Sequence, residues 1–249
     1  MELFGIDVGG SGIKGAPVNV ETGELMAERF RVETPRPALP GTMALAVKEV
    51  LDHFNWKGPV GVGFPTIVAN GQCKSQSNLH KDWVNVHIDK LFKEVCGNDF
   101  KVINDADAAG LAEMHYGSGK GKDGLVVTVT LGTGIGSGVF YNGQLIPNFE
   151  LGHLRYKKNT PVEKYAADSI RKNKNLSNDE WAERLNYFFK YVKRVCSPDL
   201  MIVGGGASKK WDKLYPHFSD DINLVVAETR NEAGIIGAAM ASIGMAKDA

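Results

Sequence analysis

Two stretches more than a hundred residues apart follow one plan, and that plan constrains the fold more than any other feature of the chain. "LFGIDVGGSGIKGAPVNVETGEL" opens the sequence, and "LVVTVTLGTGIGSGVFYNGQL" begins at Leu125. Each is an apolar run, a glycine-rich turn, a second alternating run, and a polar turn that closes on Glu-Leu or Gln-Leu. Setting Gly132 against Gly9 brings "NGQL" and "TGEL" into register once about three residues are inserted. Period-two alternation bounded by glycine is the signature of antiparallel strands. Repetition over this distance points to a duplicated unit rather than a short-period solenoid, with a chance likeness of glycine-rich hairpins as the competing explanation.

The segments after each hairpin alternate strands with helices. "GELMAERFRV" reads as the third strand of a meander and "TPRPALP" as a proline-broken loop. Helical spacing then runs through "GTMALAVKEVLDHF", "GPVGVGFP" is a buried strand, and "NVHIDKLFKEVCG" is a helix closed by Gly97. "FKVIND" is a short strand leading into the helix "DADAAGLAEMHYG", at whose start Asp105 can serve as N-cap. Beyond the second hairpin the pattern predicts helices over "PVEKYAADSIRKN" and "SNDEWAERLNYFFKYVKRVC", strand "DLMIVGG", helix "KKWDKLYPHF", strand "NLVVA" and a last helix "NEAGIIGAAMASIGMA".

A chain of 249 residues has room for one large or two modest domains. Lys plus Arg and Asp plus Glu both number 29, so no global field draws the protein to nucleic acid or a membrane. No secretory signal opens the chain and no apolar run approaches about 18 residues, which predicts a cytoplasmic protein. Cys73, Cys96 and Cys196 are scattered, without metal-ligand spacing, so neither disulfides nor a structural zinc is expected.

"LGTGIGSG" places a glycine at every second position from Gly132 to Gly138. Glycine loses the most backbone freedom on folding, so such a concentration needs a reason. The dinucleotide fingerprint fails: from Gly132 the sixth position is Ser137, from Gly134 it is Val139, and a strand follows instead of a helix. No Walker A loop occurs. A tight hairpin whose bare N–H groups approach an anion fits better, and the same reading applies to "DVGGSGIKG". A third cluster, "VGGGAS", joins a strand to a helix, where a helix N-terminus favours phosphate or ribose oxygens. Any one cluster is equally well a turn without a ligand; three at strand ends favour phosphate handling.

Asp7-x-Gly9-Gly10-Ser11 and Leu131-Gly132-Thr133-Gly134-Ile135-Gly136 resemble the two phosphate loops of actin-like sugar kinases. "NFELGH" resembles the E-x-G-H sugar signature of the ROK family, "SNLHKDW" its Asn-Leu-x-x-x-Trp sugar segment, and "NDADAAGLAE" its catalytic segment. Within that family "GIDVGGSGIKGAPV", "IPNFELGHL", "PDLMIVGGGASKK" and "NEAGIIGAAM" are most similar to the bacterial polyphosphate glucokinases. The likeness runs nearly end to end. ROK kinases commonly carry a Cys-rich zinc motif after the E-x-G-H histidine, whereas "LRYKKNTPVEK" follows His153 here; polyphosphate glucokinases share this departure.

The resemblance implies an α/β protein of two RNase-H-like, actin/hexokinase-type ATPase domains with a central cleft. They span residues 1–104 with the C-terminal helix 231–247, and residues 105–230. It implies phosphoryl transfer from inorganic polyphosphate, with ATP as a further donor left open, to the 6-hydroxyl of glucose. Asp105 would be the base, with Asn78, Asn104, Glu150 and His153 holding sugar hydroxyls. Gly9, Gly10, Ser11, Gly12 and Lys14 would line one side of the phosphates. Gly132, Thr133, Gly134 and Gly136 would line the other, joined by Gly204, Gly205 and Gly206. Asp7 would engage Mg²⁺ through water, because magnesium keeps much of its hydration shell. The twin hairpins would then grip the donor between two lobes, and family members usually form homodimers. From Arg155 to Lys174 seven Lys/Arg stand against Glu163 and Asp168; this is either a track for a polyanion or a solvated face. An ATP-dependent glucokinase, a kinase for another hexose, or a non-catalytic sugar sensor is the alternative. A sugar-responsive repressor of the family would carry a helix-turn-helix domain ahead of the first strand, which here begins at Glu2.

Overall fold

The structure, a computed structural model, describes residues 1–76 and 79–246, with the backbone alone at Ala207, Arg230 and Ala246. Its contacts divide the chain into two units: Met1–Ala112 with the residues from Glu232 onward, and Glu113–Asn231.

In the first unit β1 (Glu2–Val8) and β2 (Ile13–Asn19) form an antiparallel hairpin that sets Asp7 opposite Lys14. The third strand of the meander is broken in two, β3 (Glu24–Leu25) and β4 (Phe30–Val32), both paired to β2. Only Ala16 and Pro17 of β2 lie opposite residues 26–29, and Pro17 has no N–H to give, so the ladder opens there. β5 (Val60–Phe64) and β8 (Phe100–Asn104) join in parallel, giving the order β3-β2-β1-β5-β8. Between them lie a hairpin, β6 (Val68–Ala69) with β7 (Gln72–Cys73), whose strands are too short for alternation to reveal, and the helix α2 (Ile88–Cys96). Gly97 closes α2 in the left-handed conformation, as the sequence predicts.

Alternation decides which residues of β1 face which layer. Phe4, Ile6 and Val8 enter the core shared with α2 and with α1 (Pro40–His53), where they meet Val47, Val50 and Phe92. Gly5 and Asp7 point to the opposite face, which α8 (Ala233–Ala241) covers. A Cβ on Gly5 would run into the Ile235 carbonyl oxygen and stand 2.8 Å from its carbon, so strand and helix touch backbone to backbone. Burying a helix this closely needs small residues, and α8 supplies "AGIIGAAMA". The helix is shorter than the sequence pattern suggests: a 3₁₀ turn, Ile243–Ala246, follows it, and residue 247 lies outside the described residues.

The second unit repeats the plan. β9 (Leu125–Leu131) and β10 (Ile135–Tyr141) form the hairpin, β11 (Gln144–Ile146) extends its edge, and β12 (Leu200–Gly205) and β13 (Leu224–Val226) add in parallel. The order β11-β10-β9-β12-β13 repeats the path β3-β2-β1-β5-β8 of the first sheet, which has β4 in addition, as a duplicated unit requires. Leu131 pairs with Ile135 where Val8 pairs with Ile13, so the second glycine turn is one residue tighter. The long helix α6 (Asn178–Cys196) starts from a capping box in which Ser177 and Glu180 each accept the other's backbone N–H. It buries Trp181, Leu185, Phe188 and Phe189 against Val127, Val129 and Met201.

Two helices expected here are broken. Residues 161–173 divide into α4 (Glu163–Ala166) and α5 (Asp168–Asn173) at Ala167, whose ψ of 155° is extended. Tertiary bonds replace the helical ones at the break: Trp181 Nε1 donates to the Ala166 carbonyl at 2.8 Å and Ser169 N to that of Gly132 at 3.1 Å. Residues 209–218 keep one α-turn, α7 (Trp211–Leu214), between 3₁₀ turns, with Pro216 unable to donate.

Candidate active site

In the first unit Asp7 ends β1 beside the Gly9–Gly12 turn. Its carboxylate lies 3.6 Å from Lys14 Nζ and keeps 25% of its exposure. On its other side is Gly234, in the first turn of α8, where a Cβ would stand 3.0 Å from Asp7 Cγ. Burial raises the Asp7 pKa above the ordinary carboxylate range, and Lys14 and Arg29 pull it partly back.

The turn itself is tied from outside. Gly9 N donates to Gly12 O at 3.0 Å. Thr34 Oγ1 donates to Gly9 O at 2.6 Å, Arg36 to Gly10 O at 3.1 Å, and Arg31 to Ser11 O at 2.6 Å. Three consecutive carbonyls are therefore held by side chains from residues 31–36. Sequence reasoning missed these three residues, since "TPRPALP" signals only a broken loop and Arg31 falls in a segment that reads as an ordinary strand.

α3 (Asp105–Tyr116) begins directly where β8 ends. Asn104, rather than Asp105, caps it: Asn104 Oδ1 accepts the N–H groups of Ala106 at 2.8 Å and Asp107 at 3.1 Å. Its amide donates to the Thr66 carbonyl at 3.1 Å, which fixes the side chain in a buried position. Asp105 Oδ1 accepts from Ala106 N at 2.8 Å, and the residue is partly exposed. Asp107 is buried. Asn78 lies outside the described residues.

In the second unit the structure brings two of the three glycine clusters together. Gly205 pairs with Leu131 across β12 and β9, and with a φ of 74° it occupies the left-handed region. A Cβ there would stand 2.7 Å from Leu131 O, so this contact admits only glycine. Next to it α5 braces the 132–134 turn: Ser169 N donates to Gly132 O at 3.1 Å, and Ser169 Oγ to Thr133 O at 2.6 Å. Asp168 is buried, ion-paired with Arg171 at 2.7 Å and Lys172 at 2.8 Å, and these cations hold its carboxyl low against the opposing effect of burial. Arg171 also lies over the Trp181 ring at 5.1 Å. Part of the basic charge between residues 155 and 174 thus serves the turn's support.

Beyond β12 a recess of about 290 Å³ is lined by Ser208, Trp211, Asp212, Val226, Ala227 and Glu228. One lining residue, Glu228, is held through its backbone N–H by Glu113, a buried carboxylate far away in sequence. Glu113 accepts from Ser118 N at 3.1 Å, Glu228 N at 3.1 Å, Thr229 N at 2.7 Å and the Thr229 hydroxyl. Nothing in the local pattern around Glu113 announces this role.

Glu150 and His153 bracket a 3₁₀ turn laid against β10. His153 N donates to Glu150 O at 3.0 Å, and Ser137 Oγ bridges Phe149 O and Leu151 N at 2.5 and 3.0 Å. Gly152 is packed on the Ile135 backbone; a Cβ would overlap the Ile135 carbonyl oxygen, which explains the glycine between the two polar residues. Burial raises the Glu150 pKa, with His153 lowering it and Glu163 raising it further. The pair can hold neighbouring hydroxyls, one accepting and the other doing either. Among the described residues no group of three His, Cys, Asp or Glu converges on a metal site, and no helix is long and apolar enough to cross a membrane.

Comparison with known proteins gives this geometry its context. The ROK family model matches residues 3–165. The polyphosphate glucokinase of Mycobacterium tuberculosis (strain CDC 1551 / Oshkosh) is 44% identical over 241 residues, covering 96% of this chain and 91% of its own. The inorganic polyphosphate/ATP-glucomannokinase of Arthrobacter sp. strain KM superposes with a TM-score of 0.93 at 44% identity, covering 100% of this chain and 99% of that one. A ROK family glucokinase from Streptomyces griseus, solved with glucose and AMPPNP, shares the fold with a TM-score of 0.81 at 22% identity, covering 96% and 98% of the two chains. Two sheets of one topology, a tied glycine turn at the head of each, and matches of this extent together make the chain a member of the ROK family, with the actin/hexokinase-like ATPase fold.

Proposed function

We propose that this protein is a polyphosphate glucokinase, transferring a phosphoryl group from inorganic polyphosphate, with ATP as a second donor, to the 6-hydroxyl of glucose. The observation that carries the reading is the 44% identity to the M. tuberculosis polyphosphate glucokinase, which extends over 96% of the chain and so spans both units. The Arthrobacter protein of equal identity uses both donor types by its description, which supports two donors here.

Phosphoryl transfer asks a protein to align a hydroxyl with the terminal phosphate, take its proton and stabilise charge on the transferring oxygens. In this reading Asp105 Oδ accepts the proton of the sugar 6-hydroxyl. Asn104 holds Asp105 at the helix start through its own cap bonds. Glu150 and His153 orient the ring through its other hydroxyls, with Asn78 a further contact. The Gly9–Gly12 and Gly132–Gly136 turns receive phosphate oxygens, with Gly204–Gly206 and Lys14 beside them.

A divalent cation, Mg²⁺, belongs to this reading, and Asp7 fits it. Its carboxylate is a hard oxygen donor made costly to ionise by burial, with Lys14 no nearer than 3.6 Å, so a hydrated dication would relieve it. When bound, the ion supplies neutralisation of the phosphate charge. The reading also carries the family expectation of a homodimer, which sedimentation would measure.

The test is purified protein with glucose and Mg²⁺, given polyphosphate or ATP separately, followed by glucose 6-phosphate formation. Product from polyphosphate is expected; product from neither donor overturns the assignment. Asp105→Asn should lower kcat by about 10²–10⁴-fold while leaving glucose binding measurable. Turnover near that of the parent protein removes Asp105 from its role as base.

A further inference from the structure

The support of the first glycine turn points to donor selection. A phosphate chain is repelled by carbonyl oxygens and attracted by N–H groups, so a turn that binds it must send the two in different directions. Here Gly9 O, Gly10 O and Ser11 O are taken in succession by Thr34, Arg36 and Arg31. Among the described residues no group of the chain accepts from the N–H of Gly10, Ser11 or Gly12. The carbonyls are anchored and the donors are left for a ligand. Two of the three anchors are also exposed guanidinium groups, charged at every working pH. The neighbouring acids, Glu28 and Glu33, are exposed and answer three arginines, at 29, 31 and 36.

We propose that Arg31 and Arg36, with Thr34, are positioning residues that make the β1–β2 turn a receptor for an inorganic phosphate chain, holding its carbonyls back and supplying positive charge beside it. This deepens the reading of the turn as the donor loop and rests on it. A nucleoside triphosphate has a base and ribose to hold it and ends after three phosphates. Polyphosphate has only its charge and oxygens, so it depends on the anchored turn and the two guanidinium groups to a far greater degree.

The experiment compares the parent protein with the Arg31→Gln/Arg36→Gln double variant, measuring KM and kcat for long-chain polyphosphate and for ATP over a series of salt concentrations. The double variant is expected to raise KM for polyphosphate by about tenfold or more and to flatten its dependence on log salt by roughly one to two in slope, as loss of ionic contacts to a polyanion does. KM for ATP should rise by less than about threefold, and KM for glucose should stay within about twofold. Thr34→Val, which removes an anchor and no charge, should lower turnover with both donors and leave the salt slope unchanged. A KM for polyphosphate within about twofold of the parent, with an unchanged salt slope, overturns the proposal. If the parent protein transfers from neither donor, the donor reading fails before this one is reached. Circular dichroism melting checks that the variants fold; should the double variant not, Arg36→Gln alone, an exposed side chain with one bond to the turn, carries the same measurement.

Discussion

Replacing Gly5 by alanine exchanges a hydrogen for a methyl group, a net gain of one carbon and two hydrogens, at a place where the structure has no space for it. The new Cβ would stand 2.8 Å from the Ile235 carbonyl carbon and 3.1 Å from Ala239 N, and closer still to the Ile235 oxygen. Ordinary carbon–carbon contacts lie at about 3.5–4.0 Å, so the helix must retreat by roughly 0.7 Å or more. It cannot do so freely. Gly61 of β5 meets the Ala238 backbone in the same way, and Gly237 is packed on Ala108 of α3, with Ala238 and Ala239 fully buried. Overpacking against backbone costs about 1–3 kcal/mol or more. Alanine returns about 0.4–1 kcal/mol by restricting the unfolded chain, because strand backbone suits it. The expected net loss is about 2 kcal/mol, which for a chain of this size lowers Tm by roughly 4–8 °C. Urea unfolding followed by circular dichroism should show a lower midpoint, and kcat should fall as well, because the retreating helix carries Gly234 away from Asp7. Gly41→Ala is the control: nothing lies within 4 Å of a Cβ there and the helical backbone suits alanine, so the protein should keep its stability or gain up to about 1 kcal/mol. If Gly5→Ala unfolds at the same urea concentration as Gly41→Ala, the backbone-to-backbone packing of α8 is wrong.

Three other perturbations follow from the same structure. Glu113→Gln replaces an acceptor of four hydrogen bonds by a group that cannot take them all; it should cost about 2–4 kcal/mol in urea unfolding. Glu150 has a folded pKa raised above its unfolded value, mainly by burial, so its ionised form costs stability that the protonated form does not. Glu150→Gln should therefore gain on the parent in stability as pH rises through the window between the two values and keep that gain at neutral pH, losing it below the unfolded pKa, while KM for glucose rises. Melting curves of both proteins across that window show the sign. Ser177→Ala removes one half of the capping box of α6 and should cost about 0.5–2 kcal/mol with no change in either KM, measured by thermal unfolding and steady-state assays.

How much of the site was legible in advance depended on how far each residue's partners lie along the chain. The two hairpins could be read because alternation and glycine turns are local, and the matching strand orders bear the repeat out. The glycine clusters and the Glu150–His153 segment were visible as short motifs. The roles at the head of α3 were less so: Asp105 and Asn104 are both good capping residues, and only the hydrogen bonds give the cap to Asn104. The helix expected over 161–173 failed at Ala167 because Trp181 and Gly132, distant in sequence, supply better bonds than the next helical turn.

The two hairpins, most of the longer strands and helices, the glycine-rich turns and the family follow from the amino-acid sequence alone, because each rests on neighbours a few residues apart or on motifs copied intact. Which way the carbonyls of the first glycine turn point, and what holds the backbone at residues 228 and 229, rest on Thr34, Arg31 and Arg36 in one case and Glu113 in the other. Those residues act across 20 to 116 positions of chain, and only folding brings them to the groups they hold. A hydrogen bond is a matter of distance in space, and distance along the chain does not determine it.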